Sequence, residues 1–180
     1  MTPNVVLDFW FSPEVKAHWF DSAPELDSEI RLRFQFLWES ASNGEMSDWQ
    51  DSAAGALALV IVLDQFPLNM FRNLPAAFKT EQQAVAITKQ AIASGFDSVL
   101  KGAQLAFLYM PLMHSESIED QDLSVTLYEA TGLTENANFA RHHRDIVRRF
   151  GRFPHRNTIL GRESRPEEIA YLESPGAFKG

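Results

Sequence analysis

His114 and Glu116, followed by Asp120, bring an imidazole and two carboxylates within seven residues. Such groups carry protons or ligate metals. They belong to Tyr109-Met110-Pro111-Leu112-Met113-His114-Ser115-Glu116, just before Asp120-Gln121. A second cluster, Leu63-Asp64-Gln65-Phe66-Pro67, sets an acid and an amide directly after an apolar run, with Arg72 shortly beyond. The third begins at Arg149 and runs through Phe150-Gly151-Arg152-Phe153-Pro154-His155-Arg156-Asn157 to Arg162. Arginines interleaved with aromatics suit a phosphate, a carboxylate or an unstacked base.

Each cluster admits a structural use beside the chemical one. Asp64 is either a general base or arginine anchor in a pocket, or a buried acid neutralised by Arg72 or by an arginine of the basic segment. His114 or His155 with Asp64 or Glu116 makes an acid/base pair, yet a loop histidine beside a helix-capping acid is also ordinary architecture. Arginines after a helix end can hold an anion. They can equally cap carbonyls and clasp Asp64, Glu116 or Asp120. His143 shares a helical face with Ile146, Val147 and Phe150 and reads as a hydrogen-bonded core histidine. No spacing specifies a metal or cofactor. The absence of cysteine excludes a thiolate nucleophile and Cys-ligated zinc. P-loop, dinucleotide, zincin and hydrolase-elbow signatures are also absent.

Charge sharpens the third cluster. The chain of 180 residues carries a net charge of −8, which argues against nucleic acid or membrane as a partner. From Arg141 to Arg165, however, eight arginines face only Asp145 and Glu163, so this segment is +6 and the remainder −14. Arginine without lysine favours planar, two-pronged pairing. The segment and the acidic body are expected to meet, bringing Asp64, His114, Glu116 and the 152–162 loop together.

The elements that position these groups read as helices. Thr2-Pro3 starts one that ends near Phe11. Ser22-Ala23-Pro24-Glu25 is a capping-box start for a long helix with Leu26, Ile30, Phe34, Leu37 and Trp38 on one stripe. A buried helix runs from Asp48 to Phe66 and stops at Pro67. Further helices span 76–94, 97–109 stopped by Pro111, 117–130, and Thr134 to Phe150 before Gly151. Arg152 to Arg162 is a loop, and Ser164-Arg165-Pro166-Glu167 caps a last helix over 168–172. Short connections make consecutive helices antiparallel neighbours, so the expectation is one all-α domain of stacked helical hairpins over 1–180. The amino terminus lacks a secretory pattern and the longest apolar run, Ala53 to Leu63, is short for a bilayer, pointing to the cytoplasm.

The same clusters carry a resemblance. Val6-Leu7-Asp8-Phe9-Trp10-Phe11, Leu63-Asp64-Gln65-Phe66-Pro67, Met70-Phe71-Arg72, the Tyr109–Glu116 string and Arg149–Asn157 with Leu160-Gly161-Arg162 resemble the bacterial domain-of-unknown-function family 924. Leu68 stands where that family commonly has arginine, and Met110 where leucine is usual. The resemblance implies a tetratricopeptide-like helical fold and no established activity. The leading expectation is a helical scaffold that binds an anionic small molecule or an acidic peptide end. Its binding set is Asp64, Gln65, Arg72, Tyr109, His114, Glu116, Arg149, Arg152, His155, Arg156, Asn157 and Arg162. The alternative is an enzyme using a His/carboxylate pair on a phosphorylated or carboxylated substrate. Oligomeric state is open.

Overall fold

In the computed structural model, which describes residues 1–21 and 23–180, helices follow one another with no strand among the described residues. They are α1 (Pro3–Trp10), α2 (Pro13–Lys16), α3 (Pro24–Ser42), α4 (Ala53–Val60), α5 (Phe66–Met70), α6 (Glu81–Ala93), α7 (Ala103–His114), α8 (Ile118–Ala130), α9 (Thr134–Phe150) and α10 (Pro166–Leu172). Two compact units contain them. The first holds residues 1–72 and 76–111, the second residues 73–75 and 112–180.

In the first unit α1 and α6 pack on α4, and α3 packs on α5. Phe9, Trp10, Phe34, Phe66 and Phe107 meet ring to ring in its core, with Phe34 and Phe66 centroids 4.7 Å apart. Pro24 opens α3 behind Ala23, and the expected Ser22 cap lies outside the described residues. Asp48 does not begin the central helix. Residues 47–51 form a 3₁₀ turn, and Ser52 caps α4 by accepting from Gly55 N at 3.1 Å.

Both prolines expected to stop helices are instead passed. A π-turn over Ile61–Gln65 joins α4 to α5, so the helical path continues through Pro67 to Met70. Proline removes the donor for the carbonyl four residues back, here Leu63. Thr80 Oγ1 supplies a replacement at 2.6 Å while accepting from Trp38 Nε1 at 3.0 Å. In the turn disturbed by Pro111, Thr88 Oγ1 donates to the Leu108 carbonyl at 2.9 Å, and α7 runs on to His114. Ala53–Met70 is thereby apolar and long enough to cross a membrane by composition, but 78% of that stretch is buried inside the protein. Asp97 caps no helix; it accepts from Tyr109 Oη at 2.9 Å, and α7 begins only at Ala103.

In the second unit α8 and α9 form a hairpin across Gly132, whose φ of 71° suits glycine. Ser117 caps α8 through Asp120 N. Ile146, Val147, Phe150 and Phe153 form the apolar centre, flanked by Ile118, Tyr171 and Phe178.

Candidate functional site

Most of the residues nominated by the sequence lie in the second unit, delivered by three chain ends. The last residue of α7 is His114, and Ser115-Glu116-Ser117 turns into α8. Helix α9 carries His142 and His143, then Gly151 at φ 72° ends it and redirects the chain into the arginine segment. Pro166 fixes the start of α10, which places Arg165 at the N-cap and Glu168 three residues on.

Much of the arginine segment is an internal clasp. Arg162 grips Glu116 with both prongs, at 2.7 and 2.9 Å, and Glu116 also accepts from Phe153 N at 2.7 Å. Burial acts to raise the Glu116 carboxyl, but these hydrogen bonds outweigh it and hold the group below its ordinary range. Arg162 Nε donates to the buried Asn157 Oδ1 at 3.0 Å, and Asn157 Nδ2 reaches Glu168 at 3.2 Å. Glu168 is fully buried and accepts from Arg152 at 2.7 and 2.8 Å, Arg165 Nη2 at 2.9 Å and Arg165 N at 2.8 Å. The Arg152 hydrogen bonds hold its carboxyl far below the usual carboxylate range, against the cost of burial.

Glu168 is therefore a principal receiver of the arginines, and Glu116, one of the three carboxylates expected to receive them, is another. Asp120 accepts from Ser115 Oγ at 2.7 Å. The capping box expected at Ser164 and Glu167 sits one residue later, between Arg165 and Glu168. Pro166 carried the signal, because proline at the first helical position makes Glu168 the residue whose carboxylate reaches back to the cap.

Beside this clasp is a cluster of different character. His143 is buried and its Nδ1 donates to Phe139 O at 2.8 Å, as a core histidine should. Arg156 is buried too, donating to His114 O at 3.0 Å with its guanidinium 4.6 Å from the Phe153 ring centre. His155 packs against Phe153 at 5.6 Å. Burial pushes the His155 imidazole down to about 3, reinforced by Arg156, His143 and His114 and opposed by Glu116. Burial likewise lowers His143 to about 4; the Phe139 carbonyl opposes this, while His114, His142 and Arg156 add to it. His114, His143, His155 and Arg156 thus lie close enough to repel one another's positive charge.

The other nominated residues stand elsewhere. In the first unit Gln65 donates to Asp64 and approaches Met110 Sδ at 3.4 Å. Arg72 makes a two-pronged pair with Asp27, at 2.9 Å through each nitrogen, and Tyr109 serves as a strut to Asp97. Arg149 is exposed and lies over the Phe150 ring. An open groove of about 880 Å³ in the first unit includes Arg72, Arg31, Leu32 and Phe36. No group of three histidines or carboxylates among the described residues is placed to hold a metal ion.

Residues 6–176 match the family model described as bacterial protein of unknown function (DUF924). No curated protein matches. Among solved structures, a protein of unknown function from Agrobacterium tumefaciens is 38% identical, with a TM-score of 0.89 over 95% of this chain and 96% of that one.

Proposed function

The chain belongs to the DUF924 family of bacterial proteins of unknown function, and on that premise we propose that its second unit is a binding module for an anionic group, carried by a small molecule or an acidic peptide end. The observation that supports this is the gathering of His143, His155 and Arg156 around the Phe153 ring, with Arg156 donating to the His114 carbonyl. Burial and the neighbouring Arg156 disfavour a proton on the His143 and His155 rings, and a bound phosphate or carboxylate would offset that cost. His114 and His155 are half-buried, so the cluster reaches solvent at its rim. The neighbouring clasp supports the reading by holding the loop that carries His155 and Arg156.

Proton transfer fits the cluster less well than binding. Glu116, engaged by Arg162 and the Phe153 amide, is held as a weakly basic carboxylate, and burial keeps the His155 ring from holding a proton near neutral pH.

Thermal melts test the proposal, using wild type and Arg156→Ala, each with sulfate, inorganic phosphate, succinate and an acidic peptide. A ligand that binds only the folded state raises the melting temperature by mass action. At least one anion should stabilise the wild type and leave Arg156→Ala unmoved, whatever the variant's own starting point. Equal responses in both proteins, or no response in the wild type, would contradict it.

A further inference from the structure

The segment after α10 ends on the same cluster. Phe178 places its ring 4.4 Å from His143 and 5.0 Å from His155, centre to centre, and 6.3 Å from His142. Gly180 follows against the His155 ring, close enough that an added Cβ would lie 3.2 Å from Cδ2. Besides these ring contacts and the packing of Phe178 on the edge of the Ile146–Phe153 apolar centre, few hydrogen bonds hold this segment. Phe178 N donates to Tyr171 Oη at 2.9 Å and Ala177 N to Ser174 O at 3.2 Å. Pro175 and Gly176 precede it, and Gly176 has open space around it. Phe178 is only half-buried. Few hydrogen bonds, partial burial and a Pro-Gly approach mark a segment that opens locally at small free-energy cost.

We infer that Ala177–Gly180 is a displaceable lid, with Phe178 occupying a ring-binding slot between His143 and His155, so that the ligand of this site is an anion attached to a flat ring. The inference rests on the anion-binding reading and adds the ligand's second half. A phenyl ring fits here because imidazole and phenyl groups favour the tilted and edge-on contacts that Phe178 makes. The anion then sits toward Arg156 and His114 while the ring takes the place of Phe178. An anion without a ring needs only the rim, and leaves the lid closed.

The probes are phenyl phosphate and inorganic phosphate, titrated calorimetrically into wild type, Phe178→Ala and Tyr171→Phe. Tyr171→Phe removes only the hydroxyl that anchors the lid, so it opens the slot without deleting a ring from the core edge. Phe178→Ala should tighten phenyl phosphate by about tenfold or more, because a competing occupant is gone, and Tyr171→Phe by a smaller factor in the same direction. Inorganic phosphate should change by less than about threefold. Proton NMR of the ligand-free proteins supplies a second readout. His155 should titrate at higher pH in Phe178→Ala than in wild type, since removing the ring rehydrates it.

Phenyl phosphate affinity unchanged or weakened in both variants overturns the lid, while inorganic phosphate binding to wild type keeps the anion site standing. An unchanged His155 titration also overturns the lid, because the ring then covers nothing. If neither phosphate binds any of the three proteins, the anion reading itself has failed and the lid falls with it.

Discussion

His143 and Glu168 are both buried ionisable residues, and their surroundings push them in opposite senses. Glu168 is satisfied as an anion by two arginines, an asparagine and a backbone amide, whereas His143 is satisfied as a neutral ring by one carbonyl. The consequence for stability against pH differs accordingly. A histidine lowered from 6.5 to about 4 takes up its proton in the unfolded chain first. Its stabilising effect is complete above pH 6.5 and is lost as pH falls through 6.5 toward 4. The lowered carboxyls of Glu116 and Glu168 contribute above 4.5 and are lost only as pH falls through their folded values, in more acidic solution. Denaturant unfolding at pH 7.5 and pH 5 should therefore show a loss of about 2 kcal/mol from His143 alone. His143→Gln, which keeps a donor for Phe139 O, should show a smaller loss over the same range; an equal slope in both proteins would refute this assignment. Local sequence identified His143 through its helical face and Glu116 through its place at a helix start. It passed over Glu168 and Phe178 because their roles depend on partners elsewhere in the chain, at Arg152 and at His143.

Several helix starts and stops were legible locally: Ser117 caps α8 with its side-chain oxygen and Gly151 ends α9 in the left-handed conformation, whereas the start of α4 was missed, since Ser52 and not Asp48 precedes it. Local signals also misled at the prolines. Pro67 and Pro111 remove donors within their own helices, but the affected turns are served by hydroxyls of Thr80 and Thr88, 17 and 20 residues from the carbonyls they reach. Tertiary contact thus overrides a local breaker, and the π-turn at Ile61–Gln65 absorbs the change of register. Thr80→Val should cost about 1–3 kcal/mol, because it strands both Leu63 O and the Trp38 Nε1 donor in the core. Thr80→Ser should recover most of that loss in a denaturant titration. A Val variant as stable as wild type would mean that the helix passes Pro67 without help.

At the scale of the whole chain, charge was legible as an asymmetry but its resolution was not. The +6 segment lies inside the second unit, where the remaining residues carry nine carboxylates against Lys179, so that unit totals −2. The arginines are therefore balanced largely within their own unit, through Glu116, Asp122, Glu129 and Glu168. Within that unit His143, His155 and Arg156 lie around the Phe153 ring and Arg156 reaches the His114 carbonyl; on the proposed reading an anion binds there. Sulfate tests this most directly, because its charge is constant across mildly acidic and neutral pH. Its affinity should be measured at pH 7.5 and pH 5 by calorimetry while the His143 and His155 ring protons are followed by NMR. Bound sulfate should raise the titration of both histidines, so binding should be tighter at pH 5 and accompanied by proton uptake. Histidine signals that ignore sulfate at both pH values, or an affinity indifferent to pH, would contradict the account.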